Sequence, residues 1–315
     1  MKPEQAGPED RDEIVALLRS KVYPVSHLEG VGAEQRKALD LEALEAQWQT
    51  VFAQPLFELW VVRATEGCQA FVLALFQQVE HATGQLEAIM VEHAGALQAY
   101  PVLITRLVES ARKRGDSFFA WRLYPHELAL RDLLVQAGFA PEFSRVVRST
   151  RASQADPVSG SLEIRRACSR DRAFLARLHL DCSPFYQSSN RAGAEWGALD
   201  ALGNYLSLEL EEQSITLGWV AWEQQQPIGY VLVKRDFLLE ASQGRAAYLY
   251  DIAVARSHWG KEAATLLHEH AVHELARLGY PTLVGDISWH NHRALGMALG
   301  KLNYQVEWER WGVNL

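Results

Sequence analysis

Apolar residues recur along residues 162–315 with two alternating periods, and the switches between them outline the elements. LEIRRA (162–167) alternates as a short strand, and Ser169 stands where it can cap a helix running to about Leu180. Residues 193–212 read as a second helical region. ITLGWVAW and PIGYVLVKRDF form a hairpin around Gln224 to Gln226, and AAYLYDIAV (246–254) is a further strand. Residues 260–279 predict a helix with Ala263, Leu267, Ala271, Leu275 and Leu278 on its apolar face. TLVGDIS is a strand, Asn291 to Leu302 a helix, and Tyr304 to Val313 the last strand. The order β-α-α-β-β-β-α-β-α-β predicts an α/β fold, an α+β mixed sheet with helices on both faces. The first half reads alike, with a helix at 34–54.

The two halves also share a layout. Asp10–Arg11 and Asp171–Arg172 open matching helices at an offset of 161, and Pro24 and Pro184 follow at 160. Trp60 pairs with Trp219 and Phe71 with Tyr230, both at 159. LEAIMV (86–91) resembles LYDIAV (249–254) at 163. Gly115 matches Gly279 at 164, and Gly138–Phe139 matches Asn303–Tyr304 at 165. Matches in this order, with offsets that drift as loop lengths would make them, point to a duplicated domain. The period is far too long for a solenoid. Ser149 to Ser161 is polar and holds Pro157, Gly160 and several serines, which is linker composition. The division is therefore 1–150, a linker at 151–161, and 162–315.

Composition narrows the function. A net charge of −8 over 315 residues is not a nucleic-acid footprint, and it weakly favours cationic small molecules. Three widely spaced cysteines argue against a disulfide framework or a zinc site. The start, MKPEQAGPEDRDE, is not a signal peptide, and no apolar run approaches the ~18 residues of a membrane span. The expected compartment is the reducing cytoplasm, with no membrane partner.

YLYDIAVARSHWGKEAA (248–264) reads as a buried strand, a turn with one glycine and a helix start. Such a place aims backbone N–H groups at a phosphate. Its residues Val254, Arg256, Trp259, Gly260, Glu262 and Ala264 resemble the acyl-CoA segment of the GCN5-related N-acetyltransferase (GNAT) family. Arg256 stands where the family has proline, Trp259 where it has a basic or amide residue, and Glu262 where it has the central glycine. The resemblance implies two tandem GNAT domains and acetyl-CoA as co-substrate. It implies that Ile252, Ala253 and Val254 meet the pantetheine arm and the thioester. The pyrophosphate would sit over Trp259, Gly260, Lys261, Glu262, Ala263, Ala264 and Thr265, with Asn291 contacting the cofactor. A glutamate in the first helical turn would compete with phosphate by capping the helix itself, unless Glu262 swings outward. In the first half Leu97 falls at the position of Gly260, and Glu92 would repel phosphate. That half is expected to keep the fold, bind no CoA and serve as an attached pseudo-subunit.

The implied reaction is direct attack of a primary amine on the thioester. An alkyl amine has a pKa near ~10.4, so only about one molecule in a thousand is neutral at pH 7, and a base helps. Tyr250 and Asp251 are adjacent and project to opposite faces unless a bulge intervenes, with Asp251 the candidate base and Tyr250 a donor. A structural hydrogen bond is the other reading of Asp251. The family's usual tyrosine acid is Ala298 here; Tyr304 is the substitute, or else a core residue. Tyr186, Asn190 and Trp196 offer a substrate lining. HEHAVHE contains no metal-ligand spacing and reads as a solvated helix face. The expected function is N-acetylation of a small amine by a monomer or weak homodimer. The rivals are an inactive GNAT-fold binding protein and an aminoacyl-tRNA-dependent transferase. Glu262 and Ala298 favour the first rival, and the charge of −8 counts against the second.

Overall fold

The computed structural model describes residues 2–21, 54–65, 67–79, 86–151, 162–185, 216–237 and 246–315. The helices expected at 34–54 and 193–212, and most of the linker, lie outside the described residues. The first half runs β1 (Pro3–Gln5), α1 (Arg11–Ser20), β2 (Phe57–Ala64), β3 (Gly67–Val79), β4 (Leu86–Gly95), α2 (Tyr100–Arg114), β5 (Phe118–Leu123), α3 (Leu128–Gln136) and β6 (Ala140–Ser149). The second runs β7 (Glu163–Arg166), α4 (Arg172–Cys182), β8 (Thr216–Glu223), β9 (Gln226–Phe237), β10 (Ala246–Val254), α5 (Ala263–Arg277), β11 (Thr282–Ser288), α6 (His292–Gly300) and β12 (Gln305–Asn314). Every strand read in the second half is present. The hairpin turns through Gln224 and Gln225, both at positive φ, the twist that a two-residue hairpin needs and that Asn-Gly usually supplies.

The twelve strands among the described residues form one mixed sheet, in the order β1-β2-β3-β4-β5-β12-β6-β11-β10-β9-β8-β7. Its centre is an exchange. The last strand of the first half, β6, pairs with β11 of the second. The last strand of the second half, β12, pairs with β5 of the first. The two exchanged strands then pair with each other. Hydrophobic burial follows the exchange: Trp311 of β12 packs in the core under α2 and α3, and Val146 of β6 in the core under α5 and α6. Ion pairs cross as well, Arg310–Glu87 at 2.7 Å, Arg131–Glu309 at 3.2 Å and Arg145–Asp286 at 2.8 Å. Among the described residues no helix is long and apolar enough to cross a membrane.

The register corrects one match between the halves. Trp60 faces Val72 as Trp219 faces Val231, and Phe71 faces Ala94 as Tyr230 faces Ala253, so the offset of 159 holds there. Both β4 and β10 then carry a bulge, which passes over Val91 in one and Tyr250 in the other. Val91 and Tyr250 are therefore counterparts at 159, not the 163 that LEAIMV and LYDIAV suggest. The helices that follow are each 15 residues long and start at Tyr100 and Ala263, at 163. The difference is four residues, Trp259 to Glu262, which the first half lacks.

Two outcomes are expected. Residues 1–151 and 152–315 produced separately should each lack cooperative thermal unfolding, because each would leave a central strand without its partner; mixed, they should recover one transition and co-elute. Two independently folding halves would contradict the exchange. The second concerns Arg148 of β6, which donates to Glu269 of α5 at 2.5 and 2.9 Å. Burial opposes ionisation of Glu269, but hydrogen bonds from His268 and Arg148 and the charge of Arg148 prevail and hold its pKa down from 4.5 to about 2. A depressed carboxylate stabilises the fold above its unfolded pKa, and that share is lost as pH falls toward 2. Urea midpoints measured from pH 5 to 2 should fall less steeply for Arg148→Met than for the parent chain.

Candidate active site

The parallel strands β10 and β11 pair only from Ala246 to Leu249 against Thr282 to Gly285. Beyond Leu249 they diverge, while β10 stays paired with β9 as far as Val254 and Gly229. The next amide, Ala255 N–H, donates to Ile228 at 2.8 Å on the β9 side. Backbone groups alternate along a strand, so Ile252 and Val254 turn their N–H groups into the fork and Ala253 turns its own toward β9. The Val254 carbonyl accepts from the Trp259 indole at 2.7 Å.

At the wide end of the fork the chain makes one 3-10 turn at Arg256–His258, passes Gly260 at φ +81° and Glu262 at φ +64°, and enters α5. Glu262 is therefore not in the first turn of the helix. It is the N-cap residue, exposed and left-handed, and its side chain makes no capping hydrogen bond. The Glu262 side chain satisfies none of the leading amides of α5, so the expected self-capping is not seen. Arg256 and Arg293 both lie over the Trp259 ring, at 5.7 and 4.8 Å from its centroid, and add positive charge at the rim. A cavity of about 410 Å³ runs along this surface. Ile252, Ala253, Val254, Trp259, Gly260, Glu262, Ala263, Ala264, Thr265 and Asn291 all line it, and Lys261 does not. Asn291 also caps α6, accepting from Ala294 N–H at 3.0 Å.

A second chamber of about 250 Å³ continues inward and shares Phe185, Ile252, Asn291, Ala294 and Met297 with the first. Tyr250, Asp251 and Tyr304 line it. The bulge overturns the opposite-face expectation. Tyr250 packs on the cluster of Leu175, Tyr230 and Ala253, and Asp251 bonds to α4, so both lie on the α4 side. Asp251 is buried; Tyr230 donates a short hydrogen bond to it, and His179 Nδ1 lies 2.8 Å away. Sequence reasoning missed His179 and the role of Tyr230. The available signals were a histidine four residues after Leu175 on the apolar face of α4, and a hydroxyl on Tyr230 that its counterpart Phe71 lacks. Tyr304 is buried with its hydroxyl 2.8 Å from His268 Nε2. Burial pushes the phenol well above its usual pKa and lowers that of His268, so both are neutral at pH 7. Tyr186, Asn190 and Trp196 lie outside the described residues.

The first half repeats the fork but lines it differently, beside a cavity of about 470 Å³ bounded by Lys21, His93, Gly95, Tyr100 and Glu127. Strands β4 and β5 pair only from Glu87 to Ile89. His93, at the position of Ile252, sits with Nδ1 2.8 Å from the hydroxyl of Tyr100 and its ring 5.5 Å from that of Trp121. Glu92 occupies the position of Asp251, not one beside a phosphate, and pairs with Lys21 at 2.6 Å. The phosphate turn is missing altogether, so Leu97 is not the counterpart of Gly260. Among the described residues no group of three or more His, Cys, Asp or Glu is placed to hold a metal.

Residues 178–304 match the model of the acetyltransferase (GNAT) family. A GCN5-related N-acetyltransferase from Sphaerobacter thermophilus is similar over 99% of this chain and 95% of its own, with 12% identity and a TM-score of 0.56. A tandem GNAT protein from the clavulanic acid biosynthesis pathway aligns over 99% and 98%, with 13% identity and a TM-score of 0.48. An acetyltransferase from Colwellia psychrerythraea aligns over all of both chains, with 12% identity and a TM-score of 0.47. Identities this low speak to fold alone. No curated protein matches the sequence significantly. The second half is a GNAT-family domain, and the chain as a whole is a tandem of two domains of that fold.

Proposed function

We propose that residues 162–315 form an N-acyltransferase that moves an acyl group from a CoA thioester, acetyl-CoA being the smallest, to a small primary amine. Residues 1–150 complete the sheet and bind no CoA. The observation that carries this reading is the meeting of an open strand fork with an uncapped helix N-terminus, joined by one cavity. The amine nitrogen attacks the thioester carbon and the C–S bond breaks. The ammonium proton leaves to a base and the thiolate takes a proton. Asp251, held by His179 and Tyr230 and facing the inner chamber, is the base or fixes the one that acts. Tyr304, neutral and in the same chamber, is the proton donor that replaces the phenol missing at Ala298. Coenzyme A thiol is acidic enough that this donor need not be essential. A binding module without catalysis is the second reading, favoured by the bonds that already engage Asp251.

Calorimetry should show acetyl-CoA binding once per chain; no binding at millimolar ligand would end the enzymatic reading. Glu262→Gly should bind it about fivefold tighter, since a like charge leaves the anion site. The same variant relieves a left-handed side-chain conformation and should be about 1 kcal/mol more stable, a rise of roughly 2–4 °C in Tm. Asp251→Asn should lower kcat by about 100-fold or more while KM for the acyl donor changes little. An unchanged kcat would assign Asp251 to structure only.

A further inference from the structure

The inner chamber extends past the place where the thioester would lie. Its mouth is Ile252, and its floor is the last paired position of the fork, Leu249 against Gly285. Phe143, Val146, Leu249, Ile287, Met297 and Ala298 supply apolar wall. Its carboxylates are each engaged: Arg145 donates two hydrogen bonds to Asp286 at 2.8 Å, Arg310 lies 2.8 Å from Glu142, and Asp251 is held by His179 and Tyr230. The Tyr304 hydroxyl is likewise held by His268. Where the family resemblance expects a tyrosine, Ala298 leaves the space of a phenol ring open.

We propose that this chamber is an acyl pocket and that the enzyme takes CoA donors of about six carbons in preference to acetyl-CoA. This rests on the acyl-CoA reading of the outer cavity. An apolar cavity of about 150 Å³ already holds benzene, so about 250 Å³ accommodates a tail of that size with room to turn. Two of the walls, Phe143 and Val146, belong to β6 and so come from the first half. The half without a phosphate turn thereby sets the length of the chain that the other half transfers.

The test is calorimetry on the full chain with free CoA and with its acetyl, butyryl, hexanoyl, octanoyl and decanoyl thioesters. Affinity should rise about fourfold per added methylene up to hexanoyl and then level or fall. Ala298→Leu should erase that gain while leaving free CoA and acetyl-CoA binding in place. Phe143→Ala, a truncation at a half-buried position, should move the optimum about two carbons longer. If free CoA binds but affinity is flat or falls from acetyl onward, the chamber is not an acyl pocket. If CoA itself does not bind, the functional reading falls first and the acyl pocket with it.

Discussion

The pairing of β6 with β12 is the contact on which the rest of the molecule depends. Each strand ends one half of the chain and is paired on its other edge with the opposite half. An unpaired central strand would expose a row of buried backbone N–H and C=O groups, which is costly wherever water is excluded. Neither half can close its sheet without the other, so twelve strands behave as one. The ion pairs that cross the exchange are secondary to this. They satisfy charged groups that the exchange has already buried, and buried pairs give little net stability by themselves.

That same exchange borders the site. β6 pairs along the outer edge of β11, while the inner edge of β11 stays with β10 only as far as Leu249 and Gly285. The divergence is what makes a slot, and the bulge at Tyr250 turns two successive side chains toward α4. Asp251 thus meets His179 and Tyr230 in a buried polar cluster, where each hydrogen bond matters more than it would in water. Further along, two left-handed residues, Gly260 and Glu262, let the chain reverse into α5, and the Glu262 side chain makes no hydrogen bond to its first amides. Glycine is at ease in such a conformation and glutamate is not, so Glu262 marks a local conflict at the point where an anion would bind.

The two halves show how one fold can keep its core and change its cleft. Four residues separate them, Trp259 to Glu262, and without these α2 starts directly after the 3-10 turn at Leu97–Ala99. Without that turn, His93, Tyr100 and Trp121 cluster in the fork, and a Lys21–Glu92 pair takes the place of Asp251 and its partners. Sequence comparison placed the repeat but slipped here. The apolar pattern of LEAIMV fits LYDIAV at two registers, and a bulge is invisible to a period of two.

The second-half strands, the hairpin around Gln224 to Gln226, the repeat and the strand–turn–helix at Tyr248 to Ala264 were legible in the chain alone. These are local: side-chain period, turn chemistry and spacing act over a few residues, and each can be read without knowing what lies opposite. The amino-acid order could not show that β6 leaves its own half, that Tyr250 bulges, that Glu262 is an exposed, left-handed N-cap residue, or that His179 reaches Asp251 across 72 positions. Each of these is settled by which distant groups share one buried space, and burial is a property of the assembled sheet.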